Sequence, residues 1–203
     1  MKRAILLIFL GLTVIAAPFP TNADPAADRL AAAKTVALGR WKDVRGIKAI
    51  ESVRLKGLLP KADLFCVEVI NPLEQFSRRP TFLHTLIMTP DGNTFIETDE
   101  AACGALSKSG LKPVDVVDVV NTSLAFGELR NYVLEMPVAP RIHPGSWDVV
   151  VKAGENGWIV NCVFMIDPNG GPMGQCDRYE IAISRDGRIS AKAVETLISP
   201  LYD

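Results

Sequence analysis

An α+β fold of two tandem units, each a helix followed by an antiparallel sheet, is the class this sequence predicts. Three observations carry it. Cys66-Val67-Glu68-Val69-Ile70-Asn71-Pro72 returns 96 positions later as Cys162-Val163-Phe164-Met165-Ile166-Asp167-Pro168. In both copies a cysteine opens a short run rich in β-branched residues that Asn or Asp before Pro then stops. Asp91-Gly92 and Asp186-Gly187, 95 positions apart, each sit between two runs of strand character. Each set of strand runs also follows a helix-like segment ending in Ala-x-Gly, Ala37-Leu38-Gly39 and Ala125-Phe126-Gly127. Independent signals in one order point to a duplicated unit, 24–108 and 109–203, behind a leader of residues 1–23.

The leader has the pattern of a secretory signal peptide. Lys2-Arg3 precede a run from Ala4 to Ala17 broken only by Gly11 and Thr13, 14 residues in all. That is short of the roughly 20 a membrane-spanning helix needs. Pro18 and Pro20 end it, and Thr21-Asn22-Ala23 offers a small-x-small cleavage site after Ala23, with Ala17 as the alternative. No cysteine lies near the cut to take a lipid. No membrane span is expected after cleavage, and the location expected is periplasmic or secreted. Loss of Lys2 and Arg3 leaves 20 basic against 23 acidic residues, so there is no basic footprint for nucleic acid. With 48% apolar and 22% charged residues the chain has the composition of a globular protein with a real core.

Export gives the cysteines a meaning. An even number, Cys66, Cys103, Cys162 and Cys176, in an oxidising compartment favours disulfides over metal or catalytic thiols. Four cysteines allow three pairings. Cys162 with Cys176 closes the shortest loop and leaves Cys66 with Cys103. No C-x-x-C pair or histidine cluster competes for zinc, and no cofactor is expected.

Taken in order, Asp24 can cap and Pro25 can open an alanine-rich helix that Gly39 ends, with Trp41 packing back on the sheet. Ile50 to Leu59 alternates imperfectly and is expected to be extended. Leu64 to Ile70 is a buried central strand stopped by Asn71-Pro72. Leu73 to Pro80 is a loop, Phe82 to Met88 a strand, Thr89-Pro90-Asp91-Gly92 a tight turn, and Thr94 to Thr98 the returning strand. Asp99 to Lys112 is expected to be irregular. Pro113 opens a second helix, Val114 to Phe126, ending at Gly127. Leu129 to Val138 reads as extended. Trp147 to Lys152 and Trp158 to Ile166 form a hairpin about Asn156-Gly157. Tyr179 to Ser184 and Arg188 to Ala193 form the last one.

A helix followed by four antiparallel strands resembles the cystatin-like arrangement, and more distantly the cone-shaped NTF2-like one. The likeness is one of topology. It implies a helix laid across a curled sheet and, in the NTF2-like case, a pocket for a small apolar ligand. The cystatin inhibitory pattern Gln-x-Val-x-Gly is absent from the first hairpin, so inhibition of cysteine proteases does not carry over.

Chemistry is sparse. His84 lies in an apolar strand and reads as structural, whereas His143 sits in a proline-rich loop where a base could work. Glu97, Asp99 and Glu100 could supply paired carboxylates, and Cys176 with Asp177 and His143 a thiol and base. No nucleophile elbow, phosphate loop or zinc-protease helix is present. The features best suited to a partner are the two loops after the repeated strands. Loop 168–176 carries Asn169, Met173 and Gln175, and loop 73–80 carries Phe76, Arg78 and Arg79. The function expected is therefore a non-enzymatic binding protein of the cell envelope. It would engage a macromolecular partner, inhibitor- or immunity-like, through a rim formed by these loops. The alternative is an NTF2-like pocket protein for a small apolar ligand, with hydrolase activity ranked below it.

Overall fold

In a computed structural model the chain is described over residues 24–70, 81–131, 133–134, 149–165 and 175–198. Helix α1 spans Pro25–Arg40; the Asp24 carboxylate accepts from the Ala26 N–H at 3.0 Å. Its buried residues, Ala33 and Ala37, lie one turn apart. Methyl side chains there let the backbone approach the sheet closely. Gly39 does not end this helix: it lies within it, and extended Trp41 closes the end through its N–H to the Ala37 carbonyl.

Strand β1, Val44–Ala49, comes earlier than expected, and Ile50 to Leu59 is not a strand. The Ser52 side chain accepts from Leu55 N–H and starts a short helix, α2, Val53–Leu58. A local cap outweighs an irregular alternation there. Strands β2 (Asp63–Ile70), β3 (Thr81–Thr89) and β4 (Gly92–Ile96) follow, and sheet A runs β1-β2-β3-β4, antiparallel throughout.

The expected irregular stretch after Asp99 is instead a helix, α3, Asp99–Ser107. Thr98 caps it through Ala101 N–H, and Asp99 and Glu100 fill its first turn, where carboxylates suit the helix dipole. Helix α4 runs Val116–Leu129 from an Asp115 cap. Gly127 lies inside it, so neither Ala-x-Gly signature is a glycine helix end. A Cβ at Gly127 would sit 2.4 Å from the Phe164 ring, which explains the glycine: helix and sheet touch there.

Sheet B contains β5 (Val133–Leu134), β6 (Val150–Gly154), β7 (Gly157–Met165), β8 (Gln175–Ser184) and β9 (Ile189–Ile198). Strands β5 and β6 pair with different stretches of β7, which pairs with β8 and that with β9.

Two buried clusters organise these layers. One face of sheet A (Phe65, Val67, Val69, Leu86) packs on Ala33 and Ala37 of α1. Its opposite face (Leu64, Ile87, Ile96) enters a larger core with Leu55 of α2, Leu106 of α3 and Phe126 of α4. That core includes one face of sheet B, from Trp158 through Phe164 to Ile183. The two units therefore share an interior. Phe126, Phe164 and Tyr179 fill the space between α4 and sheet B, their ring centroids 5.6–6.1 Å apart.

Helix α3 crosses from the first unit to the second. Ile189 N–H donates to Ser107 Oγ at 3.0 Å, and the Ala191 N–H is directed at the Cys103 sulfur. A helical i, i+4 step rises about 6 Å and two strand residues span about 6.8 Å, so the two side chains match two outward amides. The helix thus stands where a further strand would pair with β9.

The arrangement of helices before an antiparallel sheet recurs, and β2 and β7 hold corresponding second places in their four-strand meanders. The face pattern does not recur. Helix α1 covers the residues that alternate with Cys66 (Phe65, Val67), whereas α4 covers the side that carries Cys162 and Phe164.

None of the four cysteines forms a disulfide, which corrects both expected bridges. Cys162 stands opposite Tyr179 and Cys176 opposite Met165, three rungs apart. They sit about 10 Å apart along the strands and on opposite faces, beyond the roughly 7 Å Cα separation a bridge allows. Cys66 lies within β2 of sheet A, while Cys103 faces β9 of sheet B.

Candidate functional site

The outer face of sheet A, past the end of α1, carries a grouping of aromatic and charged side chains. Register places it: Val67 pairs with His84 and Val69 with Phe82, so His84 and Phe82 follow one another on the same face of the sheet that α1 packs on. The Trp41 indole stacks on the His84 imidazole at 5.1 Å with planes 5° apart and meets Phe95 edge-on. Phe82 lies 6.2 Å from His84 on the other side.

Glu97 closes the grouping. Arg40 forks onto it with bonds of 2.8 and 3.1 Å. Those bonds, helped by the Trp41 indole, hold its carboxyl below the usual range against a smaller opposing effect of burial. Burial pushes the His84 pKa down. Glu97 opposes that shift, and Arg130 and Arg40 add to it, so the environment favours the neutral ring, which presents an aromatic surface.

Strands β2 and β3 continue past this grouping to the Ile70–Thr81 rung, from which residues 71–80 depart. Ile70 is 41% and Phe82 49% exposed, and they project from opposite faces of the hairpin. The hairpin end is therefore apolar on both sides.

Of the sequence-derived binding residues, Phe76, Arg78, Arg79, Asn169 and Met173 lie outside the described residues, as do His143 and the leader. Gln175 belongs to strand β8 rather than to the loop, its backbone paired with Ile198, and Cys176 beside it is buried. The carboxylate candidates are engaged separately. Asp99 accepts from Arg130 Nε at 2.8 Å and from the Tyr179 hydroxyl at 3.0 Å, while Glu97 belongs to Arg40. Cys176 and Asp177 are neighbours on one strand and so face opposite sides of it.

Trp41 packs back on the sheet as expected, but His84 as its stacking partner escaped sequence reasoning, because the two are 43 positions apart and belong to different elements. The clue available was a tryptophan directly after a helix end. No family model matches the chain, and no curated protein or solved structure shows significant similarity to it.

Proposed function

We propose that this is an exported, non-enzymatic binding protein of the cell envelope that engages a macromolecular partner through loops 73–80 and 168–176. The observation that carries this reading is the β2–β3 hairpin end, apolar on both faces at Ile70 and Phe82 and flanked by the Trp41–His84 stack. A small ligand covers one face of such an end, whereas a protein surface can bury both. Aromatic side chains set beside arginines are the composition of interface anchors, and loop 73–80 adds Phe76, Arg78 and Arg79. An inhibitor or an immunity-type binder would use such a surface.

The pocket alternative is less well supported, because Phe126, Phe164 and Tyr179 occupy the space between α4 and its sheet. Export rests on residues 1–23 alone, since the cysteines, without disulfides, lend it no further weight.

The test is site-directed photocrosslinking from position 82 in intact cells, with Phe82→Ala and a Gly-Ser replacement of 73–80 assayed in parallel by affinity capture from the envelope fraction. A discrete crosslinked species is expected, and its capture should weaken about tenfold or more in both variants, as for an interface anchor. Capture indifferent to both changes, in variants that melt like the parent, would sink the proposal.

A further inference from the structure

The described residues include eight arginines, and seven of them pair with a carboxylate. The partners are Arg29 with Asp63, Arg40 with Glu97, Arg45 with Glu68, Arg54 with Glu128, Arg130 with Asp99, Arg178 with Glu195 and Arg188 with Asp186. Arg185 is the exception among the described residues, yet its guanidinium is held in place. Its Nε donates to the Glu155 carbonyl at 3.3 Å, and its charge lies over the Trp158 ring, 5.0 Å from the centroid. Its backbone N–H also donates to the Asn156 carbonyl at 3.1 Å, tying the β6–β7 turn to the β8–β9 turn.

Both turns are fixed. Gly157 and Gly187 have φ of 154° and 86°, and a Cβ on either would strike a carbonyl oxygen, of Ile183 and Leu111 respectively. Between and beside the turns lies a groove of about 880 Å³; on the face that carries Trp158 its apolar wall includes Ala153 and Ile189, with Arg185 beside them. The volume is that of a small-molecule site. Asp186 also lines the groove, but Ser184 and Arg188 engage it and hold its carboxyl down to about 2. Glu155 is the remaining acid there, and its carbonyl is what orients Arg185.

We infer that this groove binds a small organic anion, a carboxylate or phosphate monoester carried on a flat apolar body, with Arg185 as the anion-recognising residue. A guanidinium held over an aromatic ring and tethered through Nε keeps both Nη groups available. It is already oriented for the two-point contact that carboxylates and phosphates accept. Little ordering cost then remains at binding. The apolar walls give the ligand's body a place to lie. This site is separate from the hairpin surface and stands or falls independently of it.

Phenyl phosphate is the probe, followed by NMR through the Trp158 indole resonance, assigned with Trp158→Phe. A saturable shift below about 10 mM is expected, as is reasonable for a ligand of this size. Arg185→Ala should weaken binding about tenfold or more. Arg185→Lys should fall between, because it keeps the charge and loses the fork. Arg45→Ala, on the far sheet, should change nothing. Absence of a saturable shift in the parent protein, or equal affinity in Arg185→Ala with the fold intact by circular dichroism, overturns the assignment. Inorganic phosphate binding as tightly as phenyl phosphate overturns the apolar half of it.

Discussion

His84 and Cys162 set opposite limits on the pH range in which the molecule is most stable. Burial holds the His84 pKa below the 6.5 of an unfolded chain, so the unfolded state binds that proton more readily. Stability from this group is complete above about pH 6.5 and declines as the pH falls from there through the folded value. His84→Gln should flatten that part of a melting-temperature profile and leave the rest. Cys162 moves the other way. Burial pushes its thiol from 9.0 up to about 12, and Cys103 rises to about 11. Their contribution is complete below about pH 9 and is lost as the pH climbs through the folded values, by about 4 kcal/mol at most for three units at Cys162. Denaturant melts at pH 7 and at about pH 11 measure it, and Cys162→Ala should lose less stability between those two values than the parent. Gly127 gives a steric prediction at the same scale. Alanine there gains roughly 1 kcal/mol of helix propensity but drives a methyl into the Phe164 ring. A net loss of about 1–3 kcal/mol is expected from overpacking, read as a lower urea midpoint with unchanged slope.

At the scale of elements, local chemistry was more legible than pairing. The Asp24 cap, the buried run of β2, the Asn156-Gly157 and Asp186-Gly187 turns and the hairpins they join follow from residue types alone. Helices α2 and α3 do not, although Ser52 and Thr98 stand in plain view as caps. Six residues in α2, and Cys103-Gly104 within α3, give too little periodicity to see, and what holds both helices is tertiary. Glu128 of α4 accepts from Arg54 of α2 and from its cap, Ser52, and β9 holds α3. Ser107→Ala should therefore cost about 1 kcal/mol by leaving the Ile189 amide without its acceptor. Hydrogen exchange should locate the effect at Ile189 and along α3, whereas a change confined to the exposed α3 surface would contradict the contact.

For the molecule as a whole, the two units are held together by a shared interior. Leu64 and Phe164 stand in different sheets yet share one core with Phe126 of α4. Unfolding should accordingly be a single transition, with coincident curves by circular dichroism and by fluorescence; two separated transitions would mean the units fold independently. Denatured but unreduced protein should titrate four thiols, the reverse of what export and an even cysteine count had implied. Cysteine number was legible, but facing and distance were not, because both depend on register. The candidate surface was half legible for a similar reason. Segment 73–80 stands out by composition, while the Trp41–His84 stack needs the helix end and the third strand brought together.

The position of α3 has a consequence for any attempt to divide the protein. Severed between residues 108 and 109, the C-terminal fragment would keep its last strand but lose the segment that shields it, leaving the Ile189 and Ala191 amides open to a neighbour. Such a fragment would recruit copies of itself by strand addition, and fibre formation by the severed half, prevented by supplying residues 24–108 in trans, would be its signature.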